Sequence, residues 1–181
     1  MEEPKKLYEA LEFYYEIFQK YNNKMWSEKL GLEKFSDGDE ELITELTSIL
    51  QCVETDMTIF FRILSSIKSP NINSLRYAFY DEATIPENEW NDWLNKWWKR
   101  VNGKPNQEKM RQANPKYVLR NWMAQLAIDA AEKEDYSVAM EIHELLKKPY
   151  EEQSDSEDKW FKKRPEWARH RVGCSMLSCS S

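Results

Sequence analysis

NPKYVLRNWMAQLAIDAAEKEDYSVAMEIHELLKK, residues 114–148, is the stretch that decides the fold class. Alanine, leucine and methionine, strong helix formers, fill both halves, and only Glu134-Asp135 interrupts them, room for a tight turn and nothing more. Asn114 offers a cap with Pro115 at the first helical position, Asp135 offers a cap to the second half, and Pro149 stops it. The pattern predicts a helical hairpin near 115–147.

Outward from that hairpin the same 3.6-residue period recurs. Towards the N-terminus, Thr84-Ile85-Pro86-Glu87 reads as a capped helix start, with Thr84 as the cap, and ENEWNDWLNKWWKRV follows. In it Trp90, Trp93, Leu94, Trp97 and Val101 form one tryptophan-rich stripe that ends at Asn102-Gly103. Residues 69–86 hold turn signals and apolar residues together, and read equally as a short helix or a packed loop. Asp56 suits the cap of MTIFFRILSSI, which Pro70 closes, and Leu42, Leu46, Ile49 and Val53 mark the helix before it. Gly31 suits the left-handed end of a first helix whose Leu7, Leu11, Tyr14, Phe18, Tyr21 and Met25 share a face. No strand pattern appears, so the expected fold is all-α with about six amphipathic helices. Residues 1–150 read as a helical domain. Residues 151–181 read as a charged linker, EEQSDSEDKWFKKRPEW with Trp160 and Phe161 as anchors, running into a flexible Cys/Ser-rich tail.

Composition narrows the function classes. The 181 residues suit one domain, and a net charge of −6 with a pI near 5.2 gives no bias towards polyanions, so neither nucleic acid nor a membrane is an expected partner. No apolar run approaches the ~18 residues that cross a bilayer, and MEEPKK lacks the pattern of a signal or transit segment, which by itself points to the cytoplasm. Eight Trp, nine Tyr and seven Phe against four Gly supply bulky groups to bury and few hinges. The three cysteines, Cys52, Cys174 and Cys179, have neither metal spacing nor the even count of a disulfide framework.

The chain carries no catalytic constellation. There is no GxxxxGK[ST] and no GxGxxG, and His143-Glu144 lacks the second histidine of a helical zinc site, so no cofactor or metal residue is assigned. Glu9, Glu12 and Glu16 read as solvated charge along a helix. Residues 31–60 hold eight acidic residues and one basic, and 96–120 hold eight basic and one acidic, a pattern that suits mutual attraction within the fold. Trp97, Trp98, Lys99, Arg100 and Lys104 are the alternative, a stacking platform for single strands, but the face shared by Trp90, Trp93 and Trp97 is better used as core. Asn121 and Gln125, one turn apart beside Arg120, need partners wherever they are buried.

Several blocks, in order, carry a family resemblance: KMWSEKLGL, GDEELITELTSILQCVETDMTIFFRIL, NPKYVLRNWMAQLAIDAAEKEDY and the closing PEWA…SCSS. Together they resemble the C-terminal part of selenoprotein O, the SelO/YdiU family. The resemblance implies a larger kinase-like N-terminal part that binds ATP in an inverted way and, with Mg, transfers AMP to hydroxyl side chains of protein substrates. That part has no counterpart here, so no catalytic residue is carried over and the chain is expected to be inactive alone. It further implies a mitochondrial location for a full-length member, and the kinase-like core as this chain's partner. The position of Cys179 is selenocysteine in many animal members and cysteine in bacterial ones, and is regarded as redox-active. The sequence departs from the family pattern at Glu134, where glycine is usual, and at Cys174-Ser175-Met176-Leu177.

Lys162, Lys163, Arg164, Arg169, His170 and Arg171 precede the tail cysteines, and nearby cations favour thiolate. Two readings of the tail stay open. Either Cys179 is a tethered redox thiol that pairs with the core or with Cys174, or the terminus is inert. Two readings of the whole also stay open, an accessory region of an adenylyltransferase or a stand-alone helical interaction module. The first expects an apolar face left exposed in the free chain.

Overall fold

The computed structural model describes residues 3–174, and among these nine α-helices and three short 3-10 turns form, with one isolated β-bridge. The all-α expectation holds. Helix α1 (Glu3–Lys29) ends where Gly31 takes φ 67°, and Leu32 then bonds back to the Ser27 carbonyl at 2.8 Å. Glycine is needed at this position twice over: a Cβ there would lie 2.7 Å from Met110 Sδ and 3.0 Å from the Asn106 nitrogen.

Helices α2 (Asp39–Cys52) and α4 (Glu87–Arg100) pack on each other. Trp93 and Trp97 are buried at their contact with rings stacked 6.0 Å apart. Their indoles also donate to the Leu42 and Leu30 carbonyls, at 2.8 and 2.9 Å, so each large ring fills core while its N–H is satisfied by a main-chain carbonyl. Helix α3 (Met57–Leu64) is capped by Asp56, whose Oδ1 accepts from the Ile59 amide at 3.1 Å. The bridge between Thr55 and Phe79 fixes the entry to α3 against the following loop.

Residues 69–86 form a packed loop with 3-10 turns at Ile72–Ser74, Arg76–Ala78 and Glu82–Thr84, which bury Ile72, Leu75, Ala78 and Phe79. Thr84 is not the cap of α4: it closes the last of these turns, which Asp81 caps, and α4 begins after Pro86 without a side-chain cap.

Helix α5 (Gln107–Ala113), capped by Asn106, lay unread in GKPNQEKMRQ; it packs on α1 through Met110, which is fully buried. Asn114 ends α5 rather than starting the hairpin. Its side chain accepts from Lys29 Nζ at 2.8 Å and donates to the Lys29 carbonyl at 3.0 Å, and the Lys116 and Tyr117 amides both reach the Pro149 carbonyl. With those groups committed elsewhere, residues 115–120 run irregularly, and the hairpin consists of α6 (Asn121–Ala131) and α7 (Ser137–Leu146). Its turn places Glu134 at φ 62°, a value that favours glycine, and the Asp135 carboxylate receives the Ser137 amide at 2.9 Å.

Residues 151–174 are where pattern and structure differ most. Instead of running free they carry α8 (Ser154–Trp160) and α9 (Glu166–Arg169) and lie back on the hairpin. Trp160 is buried with its ring stacked on Trp122 at 5.8 Å. The buried apolar residues form two clusters, one from Leu30 to Met110 and one from Tyr117 to Cys174, and Phe161 packs against both.

Gly31→Ala should destabilise the chain by about 2–3 kcal/mol, since left-handed backbone and overpacking add. Gly38→Ala, at φ 89° with nothing within 4 Å, should cost about 1–2 kcal/mol from backbone alone. Urea unfolding of both variants measures the difference.

Candidate functional site

Between the two clusters lies a charged junction. Arg62, on the inner face of α3 and 4% exposed, donates to the Arg111, Asn114 and Tyr150 carbonyls at 3.1 Å each and to the Glu152 carboxylate. Glu152 also receives Lys116 at 2.8 Å, and Lys116 reaches Glu157 at 2.9 Å. Tyr117 Oη donates to the Glu152 carbonyl at 2.7 Å. Burial alone pushes Glu152 up, but Lys116 and Arg62 outweigh it and hold its carboxyl below the ordinary range. Burial likewise pushes Lys116 down and is outweighed by Glu152 and Glu157, so its ammonium ends above its usual value. A further ion pair, buried Asp56 with half-buried Arg120, ties the α3 cap to the residue before α6 by a bidentate contact.

The acidic and basic blocks meet as the matching pattern expects. Arg100 grips Asp39 through Nε and Nη2, at 2.6 and 2.9 Å, and Lys96 bonds Glu45 at 2.6 Å. With Trp97 fully buried and Arg100 paired, the stacking platform does not form. Trp98, half-buried, leans on Gly103. His143 lines an apolar groove with Leu119 and Ile142, and among the described residues no three His, Cys, Asp or Glu side chains converge on a metal-sized site.

Cys174 is a free cysteine, 7% exposed, packed in the second cluster. Asn121 Nδ2 donates to the Cys174 carbonyl at 3.1 Å, and Gln125 bonds Asp129 at 2.8 Å. Asp129 in turn takes Arg171 in a bidentate pair at 2.6 and 2.7 Å. The polar residues of α6 therefore seat the end of the described chain. The cations upstream of the cysteines are engaged too: Arg164 and Arg169 clasp Glu54 at 2.7 and 3.2 Å, and Lys163 donates to the Phe79 carbonyl at 2.6 Å. They anchor the segment. Cys179 lies outside the described residues.

The remaining feature is α1. Of the stripe read from its spacing, the Leu7 side chain lies outside those described, and Leu11, Tyr14, Phe18, Tyr21 and Met25 are all exposed, Tyr14 by 59% and Tyr21 by 62%. Phe13 and Tyr15 beside them are exposed as well, and nothing among the described residues covers this face.

Residues 1–147 match the family described as Protein adenylyltransferase SelO. Relatives include the Protein nucleotidyltransferase YdiU of Flavobacterium johnsoniae, 46% identical over 97% of this chain and 36% of that protein. The YdiU proteins of Aromatoleum aromaticum and Rhodopirellula baltica are 44% and 42% identical over 97% and 100% of this chain, and 35% and 38% of theirs. The chain belongs to the SelO family. It spans about a third of the length of these relatives.

The spacing of the SelO chain made the α1 stripe and the Asp56 cap legible. It did not reveal the Lys116–Glu152–Tyr117 network, whose members are distant in sequence. The one available signal was Arg62, the single charge inside MTIFFRIL.

Two measurements follow from this geometry. Burial pushes Asp39 up, but Arg100 and Ser36 hold it below its ordinary value. A depressed folded pKa stabilises fully above the unfolded value of about 3.9 and is lost as pH falls through the lower folded value. Unfolding free energy should therefore drop on acidification below about pH 4, and Asp39→Asn, less stable at neutral pH, should flatten that drop in urea titrations. In thiol labelling of the native chain, exposed Cys52 should react at least about tenfold faster than Cys174, which must await local opening.

Proposed function

We propose that this chain is the C-terminal accessory region of a SelO-type protein adenylyltransferase. Its work is to pack on a kinase-like core and to present the tail that carries Cys179. The observation that carries this reading is the uncovered aromatic face of α1 in a chain about a third the length of its relatives. An apolar stripe of that size is the usual mark of a surface that meets another protein surface. In full-length members the family's chemistry calls for ATP and Mg, held by the kinase-like part, with protein hydroxyl groups as acceptors of AMP. Glu152, Asp39, Asp56 and Asp129 are paired with Arg62, Arg100, Arg120 and Arg171, which suits a supporting role. For the thiols, the reading is that Cys179 forms a disulfide with a cysteine of the core, or with Cys174 once the chain end lifts from α6, losing two protons and two electrons to an added thiol oxidant, and that a dithiol reductant restores both thiols. As part of a full-length member the chain would work in mitochondria, and as an independent product in the cytoplasm.

Adding the chain to the separately expressed remainder of the Flavobacterium johnsoniae relative and following AMP transfer to protein tests this. Transfer should rise several-fold, and should change again between reduced and oxidised samples. Unaltered transfer, with no association by gel filtration, would leave a stand-alone interaction module as the better description.

A further inference from the structure

The α1 stripe does not simply run out. Lys29 lies four residues beyond Met25 on the same helical face, in line with Leu11 and Phe18. There the stripe meets a pocket of about 250 Å³ lined by Trp26, Lys29, Met57, Phe61 and Asn114. The walls are apolar or aromatic, Trp26 and Phe61 standing 6.2 Å apart, and Met57 is itself exposed. The floor is a cation. Lys29 Nζ sits 3.9 Å from the centre of the Phe61 ring and donates to the neutral Asn114 Oδ1 at 2.8 Å. Burial lowers the pKa of this ammonium, and among the described residues no carboxylate compensates it.

The buried cations Arg62 and Lys116 both meet acids, whereas Lys29, like half-buried Lys163, meets a neutral oxygen and aromatic rings. A partly desolvated ammonium with no carboxylate partner among the described residues, set at the end of an apolar stripe, favours an anionic group on whatever covers that stripe. From Leu11 to Met25 the stripe is about 21 Å long at 1.5 Å per residue, close to four turns of a second helix packed ridges into grooves. In the relatives the unmatched two thirds belongs to the same polypeptide, so a helix from it would be held near α1 at high effective concentration.

We infer that a helix from the part of the family protein outside this chain lies along α1, its apolar residues on the Leu11–Met25 stripe and an Asp or Glu at its end in the Lys29 pocket. This rests on the accessory-region reading and adds the kind of partner element and its polarity. A second copy of this chain is the competing occupant.

The test uses the full chain and overlapping 25-residue synthetic peptides that tile the unmatched sequence of the Flavobacterium johnsoniae relative, with binding followed by fluorescence anisotropy. The expected hits have apolar residues at three- and four-residue spacing and a terminal Asp or Glu. Lys29→Glu should weaken them at least about tenfold, and changing the peptide's acid to Lys should restore binding to that variant. Circular dichroism of Lys29→Glu and Lys29→Met checks folding. Acylation of Lys29 in the unmutated chain, slowed by bound peptide, gives a readout without any mutation. Hits indifferent to the charge swap, or a concentration-dependent dimer abolished by Phe18→Ser with no peptide bound, would overturn the inference. If no peptide binds while the chain still raises AMP transfer, the docking inference fails alone; if transfer is unchanged too, both readings fall.

Discussion

A single guanidinium holds this structure together. Arg62 stands where three chain segments converge, and its bonds to the Arg111, Asn114 and Tyr150 carbonyls reinforce the contact that the Lys116 and Tyr117 amides make with the Pro149 carbonyl. A buried cation of this kind is costly unless its donors are matched, and removing it would leave the three carbonyls without this donor, at about 1–3 kcal/mol for each that stays buried. Two consequences spread from it. Glu152 is drawn onto Lys116, which fixes the path from α7 into α8. Asn114 is held in the orientation that grips the end of α1 at Lys29. The Asp56–Arg120 pair adds a second tie between the same halves.

That arrangement explains what could be read from residue order and what could not. Local chemistry was legible: the tryptophan stripe of α4 and the Asp56 cap depend on residues within a turn or two of each other, and Gly31 on its own backbone. Asn114-Pro115 carries an equally good local signal for a helix start, yet Asn114 is pulled into contacts with Lys29 and Ser65, far away in sequence. The 151–174 segment has too few aliphatic residues to announce a core. It is nonetheless held by Trp160 against Trp122 and by Arg164, Arg169 and Arg171 on Glu54 and Asp129, pairings that no periodicity encodes. The same cations read as activators of a thiol because their acids were out of sight.

For the role of a SelO-family chain, the junction matters as a platform. It sets the root of α1, and with it the direction of the exposed aromatic stripe, while Asn121 separately seats Cys174. A partner that settled on the stripe would therefore bear on a body whose other end holds the last described residue before Cys179. Coupling between those places needs a rigid connection, and buried, multiply bonded charges are a means of providing one.

Native-state hydrogen exchange on the full chain, compared with Arg62→Met, tests whether the halves form one cooperative unit. In the unmutated chain, slow amides of α4 and α6 should open with the same free energy, and in Arg62→Met α6 should open at markedly lower cost than α4. Separate opening energies already present with Arg62 in place, or no separation without it, would contradict the role assigned to this residue.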